Sequence, residues 1–234
     1  MKSEHPDLPV TIAQLARSAT PVAVLRPPAV RLARWALAST GIAVVSILIL
    51  GVRADAAAQL SNGWFAARAT ATLAVAVIAA IVALLMSVPG VEPSKGARTL
   101  PLAACLVWAG MLIGAIAANR SPVDALLQVT VHPSCLLFIA ATALPAWAVL
   151  ARMIGQGVPL QARWTGGLAG LASLAAGALA AQFVCGDDRG AHHLLWHFAP
   201  VAGLSIVSAV AGSMVFRWSP PPMVRTDRRD VAGF

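Results

Sequence analysis

ATATLAVAVIAAIVALLMSV, residues 69–88, runs twenty positions without a charged side chain. A helix rises about 1.5 Å per residue, so roughly twenty apolar residues match the ~30 Å hydrocarbon core of a bilayer. Reading outward for the same signal finds five more runs: Trp35–Val52, Leu100–Ala118, Cys135–Ala151, Gly166–Val184 and Leu194–Phe216. In lipid every backbone N–H and C=O must be satisfied within its own segment, which at these lengths means helix. The expected fold is an all-α integral membrane protein with six transmembrane helices over residues 35–217. A leader, 1–34, precedes them, and a tail, 218–234, reads as disordered.

Composition agrees. The chain of 234 residues is 59% hydrophobic and only 11% charged, against about 25% charged in an ordinary soluble domain, and mean hydropathy is +0.78. A cleaved signal peptide is the alternative for the first run. Its apolar core would be shorter, however, and Arg53 stands where small residues are needed before Ala54-Asp55-Ala56. With both termini cytoplasmic, the outer segments hold only Arg53, Arg68, Arg120 and Arg189. The other thirteen of the 17 Lys and Arg then lie inside, as the positive-inside rule requires. The net charge of +8 thus reflects orientation in a membrane and contact with the lipid bilayer. These charges are scattered over four segments, so no direct nucleic-acid binding is expected.

Trp35, Trp64, Trp164, Trp196 and Trp218 fall at span ends, where indoles favour the interface, while Trp108 and Trp147 lie within spans and are expected to pack between helices. Gly110 and Gly114, and the series Gly166, Gly170, Ser173 and Gly177, form small-residue stripes that let helices approach closely. Pro145 and Pro200 are candidate kinks. No span interior offers an ionisable pair, and no Walker loop, HExxH or GxSxG occurs. Neither an enzyme nor an ion-coupled transporter is expected.

Polar chemistry gathers in one place: FVCGDDRGAHHLLWH, residues 183–197, between spans five and six. Cys185 ends span five on the outer side and Cys135 opens span four on the same side, whereas Cys105 sits near the inner end of span three and is given no role. Cys135 would lie at a helix amino terminus, whose dipole favours thiolate, which makes it the attacking thiol of any disulfide. His193 and His197, four apart, share a helix face. With Cys135 and Cys185 they make a soft S2N2 set suited to Zn2+ or another soft metal ion, with Asp187 and Asp188 as outer partners or competing ligands. Three readings stay open: a redox-active thiol pair, a metal site, and a polar loop with cysteines packed at helix ends. Asp187, Asp188 and Arg189 by themselves read as solvated, and His132 and His192 are given no role.

The leader carries its own signals. Thr11-Ile12-Ala13-Gln14 fits a capping box, with Val10 and Leu15 placed as its hydrophobic staple. A helix carrying Ile12, Leu15 and Ala16 is expected to start at Ile12 and to stop before Pro21. An extended strip follows, PVAVLRPP at 21–28, with Val22, Val24, Leu25, Arg26, Pro27 and Pro28. Two helical turns are too short to hold alone in water. A marginal helix, an apolar strip and a membrane tether together describe a segment that orders on a partner. The competing reading is a leader lying on the lipid surface.

PVAVLRPP before the first span, the cysteine opening span four and CGDDRGAHHLLWH leading into span six together resemble the negative-regulator-of-sigma-F (NrsF-like) proteins, six-span membrane anti-sigma factors of bacteria. The resemblance runs nearly end to end. It implies that the strip Ile12–Pro28 holds an extracytoplasmic-function sigma factor at the membrane, away from RNA polymerase. It also implies that metal or oxidative stress is sensed through the outer cysteines, here Cys135 and Cys185. Two other classes compete: a small membrane transporter or metal-handling protein with an outer Cys/His entrance, and an assembly protein whose leader docks a different partner.

Overall fold

The computed structural model of the chain describes residues 25–91, 93–118 and 133–216. The leader positions Ile12, Leu15, Ala16, Val22 and Val24, the tail 218–234, Arg120 and His132 lie outside these residues. The described residues are helices and turns, with no strand. In chain order they are α1 (Pro28–Leu50), α2 (Ala56–Gln59), α3 (Gly63–Met86), α4 (Lys95–Ala117), α5 (Pro133–Gly155), α6 (Ala162–Ala181), α7 (Gly190–His193), a π turn (Leu194–Phe198) and α8 (Ala199–Val215). Six rods are long and apolar enough to cross a bilayer, the last being α7 through α8 taken together. The chain has the expected six-helix membrane fold.

Each rod starts earlier than its apolar run, because helix continues into flanking polar sequence. Two caps fix such starts: the Asn62 side chain accepts from Trp64 N–H at 2.9 Å, and Ser94 from Ala97 N–H at 3.3 Å. Proline at the first position opens α1 and α5, where no N–H is required. Gly51 ends α1 at φ 91°, its N–H bonded to Ile47 O, a conformation that favours glycine.

The least hydropathic of the six, α6, is the most buried. Fourteen of its twenty residues are buried, and it packs on α8, α3, α5 and α1. Small side chains give it that place. A Cβ on Gly166 would stand 2.6 Å from Gly212 Cα of α8, one on Gly170 2.3 Å from Ser208 Cβ, and one on Gly177 2.7 Å from the Ile139 carbonyl oxygen of α5. Trp147 reaches across to Ser208 Oγ at 2.9 Å, and buried Trp108 meets Phe198 edge-on at 5.1 Å. The second expected stripe does not pack. Gly110 and Gly114 are exposed, and a Cβ on either meets nothing within 4 Å. Around the glycines the buried residues of α4 are Trp108, Leu112 and Ile116, four apart, with Pro101 buried nearer its start, which turns the glycines outward.

Trp35 also departs from expectation. It is 2% exposed and donates to the Ala146 carbonyl of α5 at 3.2 Å. One turn earlier, buried Arg31 donates to Met153 O and, at 3.1 Å, to Ser87 Oγ at the end of α3. The start of α1 is therefore fastened to the last turns of α5 and α3.

Gly166→Leu is expected to force α6 from α8 and to cost about 1–3 kcal/mol or more, lowering the unfolding temperature in detergent. Gly110→Ala, facing open space, should lose nothing and gain up to about 1 kcal/mol from helix propensity. Equal responses at the two glycines would contradict the packing described.

Candidate functional site

At the end of the bundle that carries the α1–α3 and α6–α7 connections, three segments converge. α6 closes with a tight turn in which the N–H groups of Val184 and Cys185 both bond to Ala181 O, at 3.1 and 2.8 Å, which folds Cys185 back on the helix end. Cys135 enters from the first turn of α5. Gly190 opens α7 so close to α4 that a Cβ there would lie 3.1 Å from Leu112 O.

The two cysteines, fifty residues apart, are free thiols with their sulfurs 3.7 Å apart. His192 Nε2 lies 3.2 Å from Cys185 Sγ and 3.7 Å from Cys135 Sγ. Cys135, Cys185, His192 and His197 each offer a ligand atom within 4.8 Å of the others. His193 is not in this group; its ring lies tilted against that of His197, with centroids 4.3 Å apart. The sequence pointed to His193 because residues four apart share a face of an α-helix. Here the helix widens instead. Pro200 has no N–H to return to the preceding turn, and Ala199 N–H bonds to Leu194 O, five residues back. Through that π turn His192 and His197 serve the same site, and π turns recur at functional sites. The signal available in the sequence was Pro200 just after the histidines.

The Cys185 thiol is held below its ordinary range, first by the hydrogen bond from Cys135 and, against the opposing effect of burial, by His192. A cleft of about 390 Å³, walled by Leu50, Ser134, Phe138, Val184 and Asp187, opens onto both sulfurs. Cys105 is half-buried against the core on α4 and is not part of the group.

Beside the thiols lies an ion cluster that the sequence reading missed. Asp188, expected to be solvated, accepts from Arg53 at 2.6 and 3.0 Å, from Arg68 at 2.7 Å and from Gln59 at 3.1 Å. Arg68, assigned to an outer loop, belongs to α3 and is fully buried. It also donates to the Asp188 carbonyl at 3.0 Å. Arg53 completes a fork with Asp55 at 2.6 and 2.9 Å, and its N–H bonds to Phe183 O. Burial pushes the Asp188 carboxyl upward, but the bonds from Arg53 and Arg68 outweigh it and leave its pKa below the usual range. Asp187 pairs with exposed Arg189 at 2.6 Å and turns one oxygen toward His192 Nδ1, 3.4 Å away.

Of the leader residues, Leu25 and Pro28 are half-buried, and Arg26 and Pro27 are exposed, directly before the fastened start of α1.

Removing the charge of Asp188 leaves two arginines, one fully buried, without their counter-ion, so Asp188→Asn should cost about 2–4 kcal/mol, somewhat below a fully buried pair because Asp188 is partly exposed. A carboxylate held low adds stability at pH above its unfolded value of about 4 and loses it as pH falls through its folded value. Thermal unfolding in detergent should therefore show this contribution undiminished from pH 8 to 5 and fading below about pH 4, with the acid-dependent part reduced in the variant.

Searches among curated proteins and among solved structures give no match. The sequence model of one family, described as negative regulator of sigma F, matches residues 15–218, from the leader through the last span. With most of its length covered, the chain belongs to the negative-regulator-of-sigma-F (NrsF) family, a regulatory kind of protein that restrains a sigma factor.

Proposed function

We propose that this chain is a membrane-bound anti-sigma factor that holds an extracytoplasmic-function sigma factor through its N-terminal segment. Release follows redox or metal stress at Cys135 and Cys185 on the outer face of the bacterial inner membrane. The observation that carries the reading is the use of α5 at both its ends. Cys135 stands at its first turn, 3.7 Å from Cys185, while Ala146 and Met153, further along, hold Trp35 and Arg31 of the helix that begins where the leader stops. The lysine and arginine distribution supports a cytoplasmic leader and an outer thiol pair.

Oxidation removes two electrons and the remaining thiol protons from the pair, transfers them to a two-electron oxidant such as a peroxide, and joins α5 to the end of α6. A tie of this kind acts only if it favours one arrangement of the helices over another. α5 is the shared element. Any shift at Cys135 is carried along this one helix to the bonds that seat α1. The leader contacts sigma through Ile12, Leu15, Ala16, Val22, Val24, Leu25, Arg26, Pro27 and Pro28, its apolar side chains supplying the buried anchors that dominate such interfaces.

Full-length protein purified from its native membrane in detergent should carry a sigma factor with it. Leu15→Asp and Leu25→Asp should each lower that recovery more than tenfold, as the loss of one anchor worth about 2 kcal/mol would do. If the sigma factor is recovered equally with either variant, the leader is not the binding segment. In cells, Cys135→Ser and Cys185→Ser should each abolish induction of the sigma regulon by oxidant or metal. Trp35→Phe should retain sigma but blunt its release; an undiminished response would remove α5 from the route.

A further inference from the structure

The four-residue cluster deepens the sensing reading by naming its ligand, and it can be tested without sigma. We propose that Cys135, Cys185, His192 and His197 bind one soft divalent cation, Zn2+ in the first instance, and that Asp187 orients His192 for that role. Tetrahedral zinc with Zn–S near 2.3 Å and Zn–N near 2.0–2.1 Å puts two sulfurs about 3.8 Å apart and sulfur from nitrogen about 3.6 Å. The chain holds its sulfurs 3.7 Å apart and His192 Nε2 at 3.7 and 3.2 Å from them. His197 is fully buried, and among the described residues neither ring nitrogen has a hydrogen bond of ordinary geometry; the group it faces is the Cys185 thiol. A polar ring sealed from water with only a weak sulfur partner costs free energy, and a cation among the four ligand atoms removes that cost.

The ligand types select the ion. Two thiolates and two imidazoles suit Zn2+ and its softer relatives and disfavour Mg2+ and Ca2+, which take oxygen. Two thiolates also cancel a divalent charge, so the filled site is neutral at the rim of an apolar bundle, its two thiol protons released to water. Imidazole ligands commonly donate their other N–H to a carboxylate, which fixes tautomer and ring angle. Asp187 Oδ2, 3.4 Å from His192 Nδ1, is placed for this, with Nε2 facing the sulfurs. Asp187 is itself held by Arg189, whose guanidinium and backbone N–H both donate to it. The four ligands come from the start of α5, the turn after α6, α7 and the π turn, so one ion crosslinks three segments.

The test is titration of the metal-stripped full-length protein in detergent with Co2+, followed by displacement with Zn2+. One equivalent per chain should give the intense visible bands of a tetrahedral sulfur–nitrogen site and be displaced stoichiometrically by Zn2+. His192→Ala and His197→Ala should weaken binding at least tenfold, and His193→Ala should leave it unchanged. Asp187→Asn should weaken it about tenfold, at the lower end of the effect of such outer carboxylates, while keeping the tetrahedral spectrum. A thermal-unfolding curve on each variant separates lost ligands from lost fold. No binding by the native chain, binding that survives Cys135→Ser with Cys185→Ser, or His193→Ala weakening it as much as His192→Ala would each overturn the site. None of these outcomes bears on capture of sigma by the leader, so the two readings fail separately.

Discussion

The contact on which this structure depends is the backbone approach of α6 to its neighbours, closest where Gly166 meets Gly212. In lipid there is no hydrophobic drive to press helices together, and van der Waals packing between close backbones takes its place. α6 is built for that: its glycines, alanines and Ser173 present little side chain, so α8, α5 and α3 all come near. Because the central helix is positioned on three sides, its C-terminal turn has little choice of location. Cys185 is delivered beside the start of α5, and the α6–α7 connection is delivered over α3, where Arg68 waits.

The second constraint is charge at the edge of a low-dielectric bundle. Arg68 is fully buried and cannot be discharged at any accessible pH. Its guanidinium therefore dictates that an acceptor stand close, and Asp188 meets it with both a carboxylate oxygen and a backbone carbonyl. A chain of bonds continues inward: Thr72 Oγ1 donates to the Arg68 carbonyl and accepts from Gln182 Nε2 at the end of α6. The residues flanking Cys185 on both sides are thereby bonded to α3. The ion cluster belongs to the thiol site as its support: it fixes the loop that supplies one sulfur, Asp187 and the approach to the histidines.

The parts of this arrangement that a single sequence reveals are those encoded by local period and depth. Six apolar runs give six rods, and two cysteines predicted at one depth do meet. The stripe on α6 was legible because small residues four apart can only be useful against another helix. The same logic failed at Gly110 and Gly114, since it does not say whether a stripe faces protein or lipid. His192 was hidden because the α-helical period holds only while the helix stays α, and the π turn before Pro200 breaks it. Asp188 and Arg68 were hidden for a different reason. Their pairing spans 120 residues of sequence, and neither charge alone tells a solvated loop from a buried clamp.

The two ends of the bundle then stand in a definite mechanical relation. At the thiol end, Cys135 and the cluster of Cys185, His192 and His197 meet among elements already pinned by glycine contacts and by the Arg53–Asp188–Arg68 clamp. At the far end, Gly157 lies so close to Ser87 that its added Cβ would fall 2.0 Å from the Ser87 carbonyl oxygen, and Val158 N–H bonds to that same oxygen. Arg31 adds its bond to Ser87 Oγ there. Of the helices that touch both ends, α6 is held along its whole length by small-residue packing and has the least freedom to move. α5 is different: it contributes one cysteine of the cluster at one end, seats α1 near the other, and contains Pro145, which leaves one carbonyl in its middle without the usual partner. A helix interrupted at its midpoint can bend there, which would move its first turn relative to the turns that seat α1. On the proposed reading, this asymmetry between the closely packed α6 and the proline-interrupted α5 would make the first turn of α5 the place where a small chemical event acts on the start of α1.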